Sequence, residues 1–190
     1  MPGSRSNSMS ARTDTSSSCV RLATAGELAL LPEIERAAAL IFLEYVAALG
    51  IKAELLQSAT PLENLRQAQA QDLLWVAVDA QNRPVGFALA VELDGRLHLE
   101  EMDVHPAHGR RGLGKLLVDA VCTEARHRGQ DVSLSTFRDV PWNAPFYARL
   151  EFRQLEESEL TPGLRRLREA EARRGLPPDT RMLMVRVWSA

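Results

Sequence analysis

The sequence predicts an α/β fold, an α+β mixed sheet, and three observations predict it. Short apolar blocks over 74–104 are separated by turn signals near 79–84 and at Asp94-Gly95. The apolar period then switches to three and four residues over 113–126. Strand-like blocks return at 132–136, 152–155 and 182–188, with helical stretches among them. Strands that pair locally, followed by strands alternating with helices, belong in one sheet with helices packed on it. A chain of 190 residues, 45% hydrophobic and 25% charged, can bury one sizeable core.

Residues 1–18 are mostly Ser, Arg, Thr, Asn and Gly. They cannot bury enough apolar surface to order themselves, so a disordered tail is expected, with Met9 as an alternative start and the folded domain spanning 19–190. Val20–Leu22 reads as a short strand. Over 26–49, Leu28, Leu31, Ile34, Ala38, Ile41 and Tyr45 recur at helical steps; Pro32 divides the stretch and Gly50 stops it. A second helix is expected over 61–71, with Thr60 as N-cap and Pro61 at the first position. Strands at 74–78, 85–93 and 96–104 form an antiparallel meander, the last two joined by an Asp94-Gly95 hairpin. Leu113, Leu116, Leu117, Ala120, Val121 and Ala125 make the apolar stripe of a helix ended by Gly129, and Lys115, Asp119, Thr123 and Arg126 fill its other face. A strand at 132–136, a short helix from Asn143 to Leu150 and a strand at 152–155 follow. An Arg- and Glu-rich surface helix at 164–174, opened by Thr161-Pro162, and a last strand at 182–188 complete the order.

Charge and cysteine content exclude several classes. The 23 basic and 25 acidic residues give a net charge of −2, against a general nucleic-acid or membrane-surface binder. No apolar run is long enough to span a membrane, and the N-terminus lacks the apolar core of a signal peptide, so a cytoplasmic protein is expected. Cys19 and Cys122 do not read as a disulfide or a zinc site, and no metal is expected. Cys122, Trp75 and Trp188 read as packing residues.

The most informative stretch is 99–117, where a strand enters a loop and the loop enters a helix. The loop carries Arg110, Arg111, Gly112 and Gly114. Glycine lets a backbone approach a ligand closely. The first amides of a helix lack internal partners, and its dipole adds positive charge there. With Arg110, Arg111 and Lys115 nearby, the turn suits a pyrophosphate. The same residues also read as a glycine-rich turn with solvated basic side chains. The P-loop signature and the dinucleotide fingerprint are both missing.

The strand–Arg-Arg-Gly-Leu-Gly–helix arrangement resembles motif A of the GNAT superfamily of acyl-CoA-dependent N-acyltransferases, with Gly109 standing where Gln or Arg is usual. The meander fits the family's second to fourth strands. The segment Asn143-Ala-Pro-Phe-Tyr-Ala-Arg-Leu-Glu-Phe152 resembles motif B, with Glu151 in place of its glycine. The resemblance covers roughly 20–188 and implies a GNAT-like single domain of six to seven strands with a central splay and four to five helices. It implies acetyl-CoA as co-substrate, its pyrophosphate held by Arg110, Arg111, Gly112, Leu113, Gly114 and Lys115. The pantetheine arm is then expected along the backbone of Met102 and Val104, with Asp103 between them. A bulge near 100–103 is expected to break simple alternation. The Met102 N–H is expected to polarise the thioester. Asn143 is assigned to the cofactor side; with Trp142 it could equally line the acceptor pocket or cap the helix.

The reaction implied is direct attack by an amine on the thioester. Glu100 and Glu101 lie on the fourth strand, which resembles that of diamine acetyltransferases, and either is expected to accept the proton or bind the amine. They also read as solvated edge-strand acids. His98 is an alternative base or a hydrogen-bonded structural residue. Tyr147 is the expected general acid for the leaving thiolate, or else a core aromatic. A small-molecule amine is the expected acceptor, and a cationic one fits the carboxylates; a protein or peptide amine is the alternative. A non-catalytic acyl-CoA-binding module and a ligand-free interaction protein are rival classes. Dimers are common in the family, so a homodimer is one expectation.

Overall fold

The computed structural model describes residues 19–188, so the expected tail at 1–18 lies outside the described residues. One seven-stranded sheet runs in the order β1-β2-β3-β4-β5-β7-β6. The strands are β1 Cys19–Leu22, β2 Leu74–Val78, β3 Pro84–Leu93, β4 Arg96–Val104, β5 Val132–Phe137, β6 Arg153–Gln154 and β7 Arg181–Arg186. The meander β1–β4 is antiparallel, as is the β5-β7-β6 part. These halves join through β4 and β5, which pair in parallel only from Leu97–Val132 to Leu99–Leu134. Beyond Leu99 the two strands part, and β4 runs on to Val104 paired with β3 alone.

The helices are α1 Leu31–Ala39, α2 Val46–Leu49, α3 Leu62–Ala70, α4 Leu113–His127, α5 Asn143–Ala148 and α6 Pro162–Arg173. α2 is a single turn, which leaves five full helices. α1 and α3 cover one face of the meander, and α4 packs on β1–β5. The main core is built from Leu31, Ile34, Phe87, Leu89, Leu97, Leu117 and Val121, all buried. Asp94 and Gly95, both at positive φ, close the β3–β4 hairpin as a left-handed two-residue turn.

Four expectations need correction. The 26–49 stretch is broken by 3₁₀ segments at Ala25–Leu30 and Leu40–Tyr45. The threefold repeat of the second rotates Ile41 out to 45% exposure, whereas Leu28, Leu31, Ile34 and Ala38 are buried. Thr60 does not cap α3, whose N-cap is Pro61; the Thr60 N–H donates instead to both carboxylate oxygens of Glu35, at 3.0 and 2.8 Å. Leu116 leaves the α4 stripe and is 41% exposed. α6 is not merely solvated, because Leu164 and Glu171 are buried. Gly50 does stop the first helical region in the left-handed conformation, at φ 61°.

Candidate active site

The bulge comes first, because it aims everything downstream. In the β3–β4 register Leu89 opposes Glu101 and Ala90 opposes Leu99, so Glu100 is the extra residue. One inserted residue reverses which main-chain groups face which neighbour. Upstream, the Leu97 N–H donates to Asp131 on the β5 side. Downstream, the His105 N–H donates to Val85 O on the β3 side, at 2.8 Å. A Cβ on Gly86 would lie 2.7 Å from Asp103 O, so that carbonyl also faces β3. Alternation then turns the amides and carbonyls of Met102 and Val104 toward the gap where β5 has left.

The same insertion gathers acids on one face. A cavity of about 220 Å³ opens at the splay, lined among others by Glu35, Glu101, Asp103, Tyr147, Glu171 and Arg181. Glu101 is pushed up to about 7, first by burial and then by the nearby Glu35 charge; Arg181, Asp103 and the Met102 amide oppose the rise. Asp103 rises well above the ordinary carboxyl value through burial and the Glu101 and Glu35 charges. Its Oδ2 is buried without a partner. Two neighbouring carboxyl groups that cannot both ionise hold a proton between them. Glu100 stays exposed at the cavity edge, and loss of surrounding water raises its carboxyl while Arg174 opposes. Glu35 is also raised by burial, despite the Thr60 amide.

Tyr147 sits at the back of this cavity, buried, with its ring against Phe146 and Phe152 at 5.0 and 5.9 Å. Burial and the Glu101 and Asp103 charges push its phenol upward, so it remains protonated at neutral pH. Asn143, the first residue of α5, lines the same cavity; Trp142, not Asn143, is the N-cap. His98 is buried and not among the cavity-lining residues. Its Nδ1 lies 3.0 Å from Ser133 Oγ, and burial lowers it to about 4, so it is a neutral structural residue.

Beyond Val104 the chain reaches the glycine loop. α4 has no side-chain cap, and its first backbone bond runs from the Leu116 N–H to Gly112 O, at 3.1 Å. The amides of Leu113, Gly114 and Lys115 therefore precede the first internal bond and point out of the helix start. Gly112 has φ 79°, and a Cβ there would meet nothing within 4 Å, so the backbone angle and not crowding demands glycine. Gly114 lies under the Met102 thioether, where a Cβ would come 3.5 Å from Sδ, tying the helix start to β4. Arg110, at φ 58°, and Arg111 are exposed beside the turn. Lys115 pairs with Asp119 one turn along the helix, so an anion would have to draw it away.

The motif-B-like segment explains its own irregularity. Glu151 has φ 66°, the left-handed conformation that the family's glycine adopts freely. The Phe152 N–H donates to Tyr147 O, closing the end of α5, and Glu151 is held by an ion pair with Arg186.

Sequence reasoning missed Glu35, Glu171, Arg174 and Arg181. Glu171 accepts from Ser135 Oγ at 2.9 Å and from Arg181 Nη2 at 2.7 Å, and the Arg181 guanidinium stacks 4.6 Å over Phe137. No local pattern marks these residues, since they come from three separate elements: Glu35 from α1, Glu171 and the C-cap Arg174 from α6, and Arg181 from β7. Among the described residues no group of His, Cys, Asp or Glu could hold a metal ion, and no helix is long and apolar enough to cross a membrane.

The sheet splits at its centre, and a helix start and an acidic cavity lie at the split. Residues 42–152 match the model of the acetyltransferase (GNAT) family, and the chain belongs to that family. Among solved structures, the chain resembles the PaiA N-acetyltransferase of Thermoplasma acidophilum, determined with coenzyme A, at TM-score 0.66 and 16% identity over 90% of this chain and 99% of that one. Ard1 of Thermoplasma volcanium gives 0.63 and 13% over 90% and 99%. N-acetylglutamate synthase of Neisseria gonorrhoeae, complexed with coenzyme A and N-acetylglutamate, gives 0.62 and 17% over 91% and 35%.

Proposed function

We propose that the protein transfers an acetyl group from acetyl-CoA to a primary amine of a small molecule, by direct attack in a ternary complex. One observation carries this reading: the bulge at Glu100 points the Met102 and Val104 backbone into the gap and puts Glu101 on the cavity wall beside it. The unpaired amides of Leu113, Gly114 and Lys115, with Arg110 and Arg111, bind the diphosphate. The pantetheine arm adds to β4 along Met102 and Val104 in the manner of a strand. Coenzyme A in the solved PaiA and N-acetylglutamate synthase relatives supports that choice of co-substrate.

The acceptor arrives as an ammonium with a pKa near about 10.4 and must lose a proton. Glu101, held at about 7, takes it at neutral pH. The neutral amine attacks the thioester carbonyl, a C–N bond forms, and the Met102 N–H stabilises the developing oxyanion. The C–S bond breaks as Tyr147 donates its proton to the leaving thiolate; the nitrogen sheds its second proton, which restores the Tyr147 phenol, and Glu101 releases the first proton to solvent. Glu35, Glu100 and Asp103 favour a cationic acceptor; of the two arginines that line the cavity, Arg181 is paired with Glu171 and Arg174 is exposed. Thiol release from acetyl-CoA over a panel of amines tests the reading; turnover with a cationic primary amine supports it, and no release with any amine refutes it.

A further inference from the structure

A second cavity, of about 550 Å³, adjoins the first, and Glu100 lines both. Its floor is Val91 of β3 with Leu89 buried beside it, and one wall is α3 and its C-cap through Asn64, Gln67 and Gln71. These three residues stand three and four apart, so their carboxamides form one row along the helix. All three are exposed. Leu89 is the register partner of Glu101, and side chains two apart share a face, so the trench floor lies on the face that carries Glu101. The two cavities are therefore successive parts of one face, with the bulge residue at their junction.

The chemistry of the two parts differs. The first presents carboxylates to an ammonium. The second adds a row of neutral amides beside Glu92 and Glu100, and its one cation, Arg128, is bonded to Glu92 at 2.9 Å and to Glu124 at 2.6 Å. Carboxamides both donate and accept, so they complement other amides better than a second charge. We propose that Asn64, Gln67 and Gln71 form a second acceptor subsite, which holds the amide-bearing tail of an amine whose reactive nitrogen lies at Glu101. The subsite selects acceptors by length, and Glu100 marks the point the chain must pass. This inference rests on the acetyltransferase reading above.

Glycinamide and triglycinamide, compared as acceptors, test it. Two or three net hydrogen bonds correspond to roughly tenfold or more in kcat/KM. The wild-type protein should prefer triglycinamide by that factor. The triple variant Asn64→Ala, Gln67→Ala, Gln71→Ala should lose the preference while its kcat/KM for glycinamide stays unchanged. These positions are exposed and alanine favours helix, so the unchanged short acceptor also shows that the fold is kept. Equal use of the two acceptors by the wild type, or an equal loss on both in the variant, overturns the subsite. Failure of every amine in the thiol-release panel overturns the acetyltransferase reading itself, which separates the two outcomes.

Discussion

Replacing Glu101 by Gln keeps the shape of the cavity and removes its proton acceptor. In the wild type the carboxylate is the ionised form only above about 7. The kcat/KM for a simple primary amine should rise about tenfold per pH unit up to about 7 and then level, because base and ammonium are both present until the amine itself titrates. The variant must wait for free amine. At pH 7 an amine of pKa about 10.4 is neutral to roughly 4 parts in 10,000, and at pH 9 to roughly 4 in 100. The variant's defect should therefore approach 10³-fold at pH 7, within the usual span for general-base catalysis, and shrink to tens of fold at pH 9. Its profile should climb through pH 7 without levelling. A defect of the same size at pH 6.5 and pH 9, or none, would refute Glu101 as the acceptor. Glu35→Gln offers a companion measurement: the Glu35 charge raises Glu101, so its removal should move the wild-type knee below pH 7. The raised value has a stability consequence too. An acid whose folded pKa lies above its unfolded value favours the folded state at low pH, and that advantage is lost as pH rises from about 4.5 through about 7. Glu101→Gln should thus raise Tm at pH 8 and leave it little changed at pH 4.

Other perturbations read different parts of the molecule. Gly112→Glu puts a side chain at φ 79° and a negative charge among the helix-start amides, so acetyl-CoA should no longer raise Tm, whereas coenzyme at 100 times its Kd stabilises the wild type by about 2.7 kcal/mol. Tyr147→Phe should slow turnover roughly 10²- to 10⁴-fold with that thermal shift intact; unchanged turnover removes the general acid. Glu151→Gly relieves a left-handed non-glycine residue by about 1 kcal/mol and loses an ion pair whose carboxylate is mostly exposed and which is worth less, so the urea midpoint should rise slightly. Glu27 is held at about 2 chiefly by its hydrogen bond from Arg21; its contribution is present above about 4.5 and lost as pH falls toward 2. Glu27→Gln should destabilise at pH 7 and be nearly silent at pH 2.

Local chemistry made much of this legible from residue order. Asp94-Gly95, Gly50 and the switch of period at Leu113 each act over a few residues, and each appears where expected. The uncapped glycine turn before α4 was readable for the same reason. Alternation could not choose between Glu100 and Glu101, because the bulge that decides it depends on pairing with β3. The partners that tune Glu101 were hidden more deeply. Glu35 looks like any charged neighbour of a helical stripe, and Arg181 reaches the cavity only because β7 inserts between β5 and β6. Ile41 and Leu116 misled for the opposite reason, since periodicity says which face is apolar but not where its cover stops.

The parting of β4 from β5 creates something most sheets keep at their margins: a free edge. Exposed edges invite strands of other proteins and so threaten aggregation. Here the edge is internal, walled by β5 across the gap, with α1 and α4 packed against β4. The molecule thus keeps the adhesive power of an unfinished ladder in a recess open to a slender visitor and closed to a sticky neighbour, and needs none of the lysines or prolines that guard an outer rim.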